Sequence, residues 1–291
     1  MGTLSPRGEG YISKEPSKES SNSNKCNFFL APWGEDARRA GEGLVFGLIM
    51  KKAIIMGATS GMGRGIALGL LAEGYTIGVC GRRKEALDEI KTIAPEKVFT
   101  KVIDVTKEEA PSLLMQLIEE MGGMDLYFHS SGFGKQNMNL DLPIECQTVL
   151  TNSYGFTQMV VTAFNYFKTE KRSGRIAVIS SVAGTKGLGS APSYSATKRF
   201  DWIYIEALAQ LAHMQKLDIK FTDIRPGFVA TDFIAGDKYP MTMPTDYVVR
   251  HILKTVRKGK RKVIIDWKYR ILCFFWRLIP SFVWERMNIH N

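Results

Sequence analysis

Tyr194 and Lys198 are four residues apart in the segment YSATK, within a stretch whose pattern predicts a helix over residues 194–216. Side chains four residues apart lie on the same face of a helix, so the two can converge. A tyrosine phenol in water loses its proton at a pH of about 10, and a neighbouring cation favours the phenolate. The pair therefore has the chemistry of a general acid and base that exchanges a proton with a substrate oxygen.

A glycine-rich turn, Gly57-Ala58-Thr59-Ser60-Gly61-Met62-Gly63, follows the first predicted strand and precedes a predicted helix. Glycines permit a tight turn and a close approach of the backbone to a ligand. The free N–H groups and the positive dipole end of the following helix suit a pyrophosphate. The turn lacks the Gly-Lys-Ser/Thr of a Walker A loop, and the alternative is a plain connection between strand and helix.

The elements that would position these residues alternate between strand and helix, which predicts βαβ units and a parallel sheet. The strands are uninterrupted apolar runs, as expected when helices cover both faces of the sheet. Strands are predicted at 52–57, 76–80, 98–103, 125–129, 175–180, 219–224 and 262–266. Helices are predicted at 63–73, 83–93, 107–121, 151–170, 194–216 and 245–258.

The glycine spacing GxxxGxG and four further motifs resemble those of the short-chain dehydrogenase/reductase family, in the same order. The further motifs are Asp104-Val105, Asn152 in TNSYG, Ser181 with Tyr194 and Lys198, and Pro226-Gly227 with Thr231. The resemblance covers about residues 50–266. It implies an α/β fold, a single-domain doubly wound parallel sheet of the Rossmann type with helices on both faces.

The resemblance also implies an NAD(P)-dependent oxidoreductase that interconverts a carbonyl and an alcohol by hydride transfer. Tyr194 would supply the proton, Lys198 would also hold the nicotinamide ribose, and Ser181 would polarise the carbonyl. Asn152 would hold a water that relays protons through Lys198. The neighbouring Ser180 is the weaker candidate, because it lies one residue away from the position that the family's spacing between serine and tyrosine gives. The expected cofactor-binding residues are Gly57, Thr59, Ser60, Gly61, Met62, Gly63, Arg82, Arg83, Asp104, Val105, Ser131, Gly132, Tyr194, Lys198, Pro226, Gly227, Val229 and Thr231.

Two positions depart from the family pattern. Met56 stands where the family has threonine before the first glycine, and His129-Ser130-Ser131-Gly132 replaces Asn-Asn-Ala-Gly after the fourth strand. In the family those asparagines brace the sheet beside the cofactor, so the serines put the details of the cofactor seat in question. We expect His129 to be a core residue at a strand end rather than a catalytic one.

The end of the second strand indicates which cofactor the chain would prefer. A carboxylate there would bind the ribose 2′-hydroxyl and repel a 2′-phosphate. This sequence has Gly81 at that position, and Arg82 follows. A guanidinium suits a phosphate, so we expect NADP(H) to be preferred, with NAD(H) possible. Arg83 either assists Arg82 or only begins the next helix.

The segment 232–246 is predicted to close over the nicotinamide as a substrate loop, and its apolar residues favour an apolar or amphipathic substrate. The basic and aromatic tail 267–291 has two readings. It either forms an amphipathic helix in a membrane surface or packs on a subunit interface or on its own domain. Pro280 is expected to break or kink a helix there.

Composition and charge bound the remaining possibilities. The net charge of +10 comes mainly from residues 250–291, with eleven Lys and Arg against Asp266 and Glu285. Residues 1–49 are predicted to be disordered or non-native, with Met50 as the natural start. Four widely spaced cysteines favour a reducing compartment without a zinc or other metal site, and we expect a cytoplasmic homodimer or homotetramer that binds no nucleic acid. The competing functions are a non-catalytic dinucleotide-binding regulator and a membrane-associated scaffold.

Overall fold

The computed structural model describes residues 51–231 and 241–289. The predicted N-terminal extension 1–49 and residues 232–240 of the predicted substrate loop lie outside the described residues. Whether Met50 is the natural start therefore stays a prediction.

Seven parallel strands form one sheet in the order β3-β2-β1-β4-β5-β6-β7. The five central strands are buried from both sides, which explains their continuous apolar runs, whereas the two edge strands are partly exposed. The predicted sheet is confirmed, and each strand lies within two residues of its predicted bounds. These bounds are β1 Lys52–Met56, β2 Thr76–Gly81, β3 Val98–Val102, β4 Leu126–His129, β5 Gly174–Ile179, β6 Ile219–Arg225 and β7 Lys262–Ile264.

Helices cover both faces of the sheet, as the doubly wound fold requires. One face packs against α1 (Gly61–Ala72), α2 (Lys84–Ile93) and α7 (Thr245–Arg257). The other face packs against α3 (Ala110–Glu120), α5 (Phe156–Thr169) and α6 (Pro192–Met214). The strand order reverses between β1 and β4, so a crevice opens at their carboxyl ends.

The helix predicted over 151–170 begins earlier than the sequence indicated. An unpredicted helix, α4 (Leu142–Val149), leads through a π-helical turn, Leu150–Gly155, into α5. Pro143 is compatible with the first turn of α4 because an N–H at that position would have no partner within the helix. The widened turn contains Asn152 and sets the direction in which its side chain points.

After β7 the chain forms α8 (Trp267–Leu278) and a short α9 (Ser281–Trp284), so the predicted break at Pro280 is confirmed. Asp266 begins α8 by accepting a hydrogen bond from the Lys268 backbone N–H. Tyr269 and Cys273 of α8 are buried against the rest of the fold. Across the described ranges, every helix is too short or too polar to cross a membrane.

Candidate active site

The crevice at the carboxyl ends of β1 and β4 contains a cavity of about 640 Å³. The turn after β1, the ends of β2 and β3, the loop after β4 and the first turns of α6 form its walls. All eighteen residues predicted to bind a cofactor line it, together with the predicted catalytic residue Ser181. The fourth predicted catalytic residue, Asn152, is buried and does not line the cavity, but its Oδ1 would lie 3.6 Å from a Cβ on Gly132, which does.

The glycine turn has the backbone geometry that only glycine accommodates easily. Gly57 has a φ of +90° and Gly61 a φ of +53°, both in the left-handed region. A Cβ atom on Gly63 would lie 1.9 Å from the carbonyl oxygen of Gly57. The turn can therefore present bare backbone to a ligand just before α1 begins.

The two arginines after β2 lie at one end of the cavity, and both are exposed. Arg83 precedes the first residue of α2 and donates a hydrogen bond of 3.1 Å to the Thr59 hydroxyl. Its side chain thus ties α2 to the glycine turn. The guanidinium of Arg82 is close enough to Asp104 for their charges to interact.

Asp104 is held as a carboxylate at the same end of the cavity. Burial works to raise its pKa, but two hydrogen bonds from Thr106 outweigh that effect, and the positive charges of Arg82 and Lys107 add to them. The pKa of Asp104 therefore lies below its ordinary value. The end of the cavity near Arg82 thus contains both signs of charge.

Tyr194 and Lys198 line the same cavity from the first turns of α6, and we call this part of its wall the Tyr194 end. Tyr194 is half-buried and Lys198 is buried. The Lys198 Nζ lies 6.0 Å from the centre of the Tyr194 ring and donates a hydrogen bond of 3.2 Å to the Ile179 carbonyl at the end of β5. The predicted convergence of the two side chains is thus present.

Asp201 is a buried partner of Lys198 that the sequence reasoning missed. Its Oδ2 lies 3.0 Å from the Lys198 Nζ, and its other oxygen has no hydrogen-bond partner among the described residues. Burial is the largest single influence and acts to lower the pKa of Lys198. The negative charges of Asp201, Tyr194 and Asp223 and the hydrogen bond to Asp201 together outweigh it, so the pKa is raised. The available signal was the spacing of three residues, which places a carboxylate on the lysine's face of the helix.

The Asp201 carboxyl is itself perturbed. Burial raises its pKa to about 6, assisted by the negative charge of Asp223, while the Lys198 ammonium acts in the opposite direction. Asp223 is paired with Arg225 at 2.6 Å, and the Arg225 guanidinium stacks on the Trp202 ring. A set of buried charges thus lies directly behind the Tyr194 end of the cavity.

Both groups of the Asn152 side-chain amide, the oxygen and the NH₂, form hydrogen bonds beside the site. Its Oδ1 accepts a hydrogen bond from the Phe133 N–H, and its Nδ2 donates to the Phe133 carbonyl and to the Thr197 hydroxyl. The water relay expected at Asn152 stays a prediction. Its visible role is to join the loop after β4 to α6.

The two serines after β5 have different surroundings. Ser181 caps the short 3₁₀ helix Val182–Thr185, where its Oγ accepts a hydrogen bond from the Ala183 N–H. The Ser180 hydroxyl donates a hydrogen bond to the Asp223 carboxylate on β6, and Ser180 is almost completely buried. Both serines line the cavity, and the catalytic role predicted for Ser181 stays a prediction.

The loop that departs from the family pattern packs closely on the glycine turn. The Ser130 N–H donates to the Met56 carbonyl, and a Cβ on Gly57 would lie 2.7 Å from the Ser131 nitrogen. His129 is a core residue as expected. It is paired with the Tyr127 hydroxyl, and burial, assisted by the Lys198 charge, lowers its pKa to about 3.

Gly134 is a second residue that the sequence reasoning missed. A Cβ there would lie 2.3 Å from the Tyr194 ring, so the ring rests directly on bare backbone. Gly227 has the same relation to Tyr269 of α8, at 2.0 Å. The Tyr269 hydroxyl also accepts a hydrogen bond from the Phe228 N–H, which fixes α8 against the Pro226-Gly227 turn.

Comparison with known proteins places this geometry in a family. The family model described as short chain dehydrogenase matches residues 51–239, well over half of the chain. The chain belongs to the short-chain dehydrogenase family. It is an oxidoreductase of that family, as the resemblance of its motifs implied.

Relatives in bacteria carry the same general description. An uncharacterized oxidoreductase of Myxococcus xanthus is 28% identical over 238 residues, which cover 79% of this chain and 93% of the relative. One from Mycobacterium tuberculosis is 27% identical over 234 residues, covering 77% of this chain and 91% of the relative. Their names state no substrate.

Two solved structures share the fold of this short-chain dehydrogenase. A 3-ketoacyl-(acyl-carrier-protein) reductase from Brucella melitensis, complexed with NADH, superposes with a TM-score of 0.67 at 19% identity, covering 74% of this chain and 96% of its own. A variant of the actinorhodin polyketide ketoreductase with NADPH gives a TM-score of 0.65 at 22% identity, covering 74% and 95%. At these identities the likeness supports the fold.

Proposed function

We propose that this short-chain dehydrogenase is an NADP(H)-dependent oxidoreductase that interconverts a carbonyl and an alcohol, with Tyr194 as the general acid and base. The observation that carries the proposal is one cavity whose walls contain the glycine turn, two arginines and the Tyr194–Lys198 pair. The solved relatives were crystallised with NADH and with NADPH, which supports a nicotinamide dinucleotide as the ligand.

The residues present fit such a dinucleotide. The turn at Gly57, Gly61 and Gly63 leaves room that any Cβ would fill, and it lies at the start of α1, where N–H groups and the helix dipole favour an anion. Asp104, Val105 and Gly132 border the same cavity. When bound, the nicotinamide supplies or takes up a hydride.

The chain's own side chains handle the proton. In the reductive direction the Tyr194 hydroxyl donates its proton to the substrate oxygen, and the buried Lys198 ammonium stabilises the phenolate left behind. Ser181 lies in the same wall and is placed to donate a hydrogen bond to that oxygen. Lys198 can act as a cation in this buried position because Asp201 compensates its charge.

The preference for NADP(H) rests on the residues that follow β2. Gly81 removes the carboxylate that would repel a 2′-phosphate, and the exposed Arg82 is free of any salt bridge within 51–231 and 241–289. Arg83 is engaged with Thr59. Arg82 is therefore the residue that we assign to the phosphate, with Arg83 as support for the turn.

The substrate that we propose is apolar or amphipathic. Among the described residues, Phe228 and Val229 contribute apolar side chains to the cavity wall, and Thr231 lies beside Gly61 of the glycine turn. A homodimer or homotetramer, a cytoplasmic location and the absence of a nucleic-acid partner stay predictions.

The deciding experiment is a thermal-shift titration with NADPH and NADH, followed by assays of NADPH oxidation with a panel of apolar ketones and aldehydes. NADPH at about 100 times its Kd should add roughly 2.7 kcal/mol of stability. Tyr194→Phe should retain that shift while turnover falls about 10²- to 10⁴-fold. Tyr204→Phe, a half-buried tyrosine on the same helix, is the matched control and should change neither.

Each alternative has its own outcome. A shift with NADPH but no turnover on any carbonyl would favour a non-catalytic regulator. No shift with either cofactor would favour a scaffold and would contradict the proposed function. Selective stabilisation by NADH would keep the oxidoreductase and overturn the role of Arg82.

A further inference from the structure

Helix α8 has apolar residues on two opposite sides. One side faces inward, where Tyr269 and Cys273 are buried. The other side faces solvent and forms what we call the aromatic stripe. Its five residues are between 48% and 63% exposed, and they are Trp267, Ile271, Phe274, Phe275 and Leu278. Contiguous exposed apolar surface of this kind marks an interaction site.

Basic residues separate the two sides of α8. Successive residues of a helix are rotated by about 100°, since one turn takes about 3.6 residues. On that basis Lys268 lies at one edge of the aromatic stripe, and Arg270 and Arg277 lie at the other. All three are exposed, and no salt bridge engages them within the described part of the chain.

The short helix α9 extends the same surface after the break at Pro280. Phe282 is 64% exposed, and Arg286 lies near it on the exposed side. Trp284 points the other way, where its indole N–H donates a hydrogen bond to the Gly187 carbonyl. Residues 267–289 contain four basic residues and one acidic residue, Glu285, so the surface is cationic as well as apolar.

The C-terminal helices are fixed to the Tyr194 end of the cavity. Trp284 packs with Leu188, and Tyr194 packs against the same cluster. The Lys186 ammonium donates a hydrogen bond of 2.8 Å to the Ile279 carbonyl. A partner on the aromatic stripe would therefore lie about one helix diameter, roughly 10 Å, from the walls of that end of the cavity.

We propose that the aromatic stripe and α9 bind an anionic membrane surface, with α8 lying in the plane of the interface. Tryptophan and phenylalanine side chains insert at the boundary between headgroups and acyl chains. Lysine and arginine at the edges of the stripe pair with anionic headgroups, each contributing about 1 kcal/mol. A helix that lies in a membrane surface needs an apolar stripe toward the lipid, basic residues at the edges of that stripe, and an opposite face that packs on the protein. Helix α8 has this arrangement.

A second copy of the chain fits this surface less well. A two-fold contact brings the same patch of each copy together, so Arg270 and Arg277 of one copy would lie near those of the other. Like charges that approach in this way repel one another. Anionic lipid complements the cations instead.

The test is co-sedimentation of the full chain with two kinds of vesicle, pure phosphatidylcholine and phosphatidylcholine containing about one-third phosphatidylserine. We expect binding to the anionic vesicles that weakens as salt increases. Arg270→Gln with Arg277→Gln should lower the partition coefficient about 30-fold, from about 1 kcal/mol for each arginine. Phe274→Ser with Phe275→Ser should lower it at least about 10-fold.

The control replaces exposed apolar residues elsewhere, Ile93→Ser with Met115→Ser, and should leave vesicle binding unchanged. The NADPH thermal shift of every variant should remain, so that loss of membrane binding is separable from failure of the proposed activity. No binding to anionic vesicles would overturn the proposal. If the unmodified chain does not bind vesicles and the Phe274/Phe275 substitutions change its oligomeric state, a second copy covers the stripe instead.

Discussion

The two ends of the cavity differ in what forms them, which is mainly backbone at the glycine turn and mainly buried charged side chains near Tyr194. At the glycine-turn end the ligand would meet backbone and two exposed arginines, and the requirement is space and left-handed φ angles. At the Tyr194 end the proton-handling pair rests on buried charges, with Asp201 beneath Lys198 and the Asp223–Arg225 pair beside it. The glycine-turn end depends on the absence of Cβ atoms at its glycines. The Tyr194 end depends on buried side chains that compensate one another's charges.

The largest expected effect is at the glycine turn. Gly63→Ala would place a Cβ 1.9 Å from the Gly57 carbonyl oxygen, so the turn must open. We expect the affinity for NADPH to fall at least about 100-fold, corresponding to roughly 2.7 kcal/mol. Isothermal titration calorimetry measures it. Gly189→Ala, where a Cβ would meet nothing within 4 Å, is the control. An affinity for NADPH unchanged in Gly63→Ala would show that this end tolerates side chains after all.

The second effect tests the charged edge of the same end. Arg82→Ala should weaken NADPH about 30-fold and leave NADH nearly unchanged, because a hydrogen bond to a charged group contributes about 1.5–3 kcal/mol. The Kd values of both cofactors are compared in the variant and in Lys91→Ala, an exposed cation on α2. Equal losses for NADPH and NADH would contradict the assignment of Arg82 to the phosphate.

The third effect sharpens the contrast at the Tyr194 end. The pKa of Asp201 is about 6, so the carboxylate beside Lys198 is present above that pH and becomes neutral below it. The groups facing it are Lys198, Asp223 and, through Asp223, Arg225. We expect kcat of the unmodified chain to fall as the pH drops through about 6. In Asp201→Asn, kcat should be about 10-fold lower at pH 7 and flat between pH 5 and 7.

The pH profile separates a positioning role for Asp201 from a structural one. A variant that is only destabilised would lose activity equally at all pH values, and Asp201→Glu should restore part of the acid limb. If kcat of Asp201→Asn still falls as the pH drops through about 6, a group other than Asp201 causes that fall. His129 is not that group, since its pKa of about 3 keeps it neutral across the whole range.

Much of the fold was predictable because it rests on local patterns. Apolar runs such as Ala53–Met56 must be covered on both sides, and their alternation with helices leaves few topologies besides a parallel sheet. Helix α4 was missed because Leu142–Val149 has one buried residue, Thr148, and therefore no apolar periodicity to read. The π-helical turn at Asn152 is a local distortion of the helix that no pattern of residue types predicts.

The sequence by itself determined the sheet, the glycine turn and the spacing that brings Tyr194 and Lys198 to one helical face, because each depends on residues close together in the chain. Tertiary structure decided that the Lys198–Asp201 pair is buried and that Asp223 and Arg225 lie beside it, since those two residues come from β6. It also decided which side of α8 is exposed. Both sides are apolar in the sequence, and only the packing of Tyr269 on Gly227 turns the aromatic stripe toward solvent.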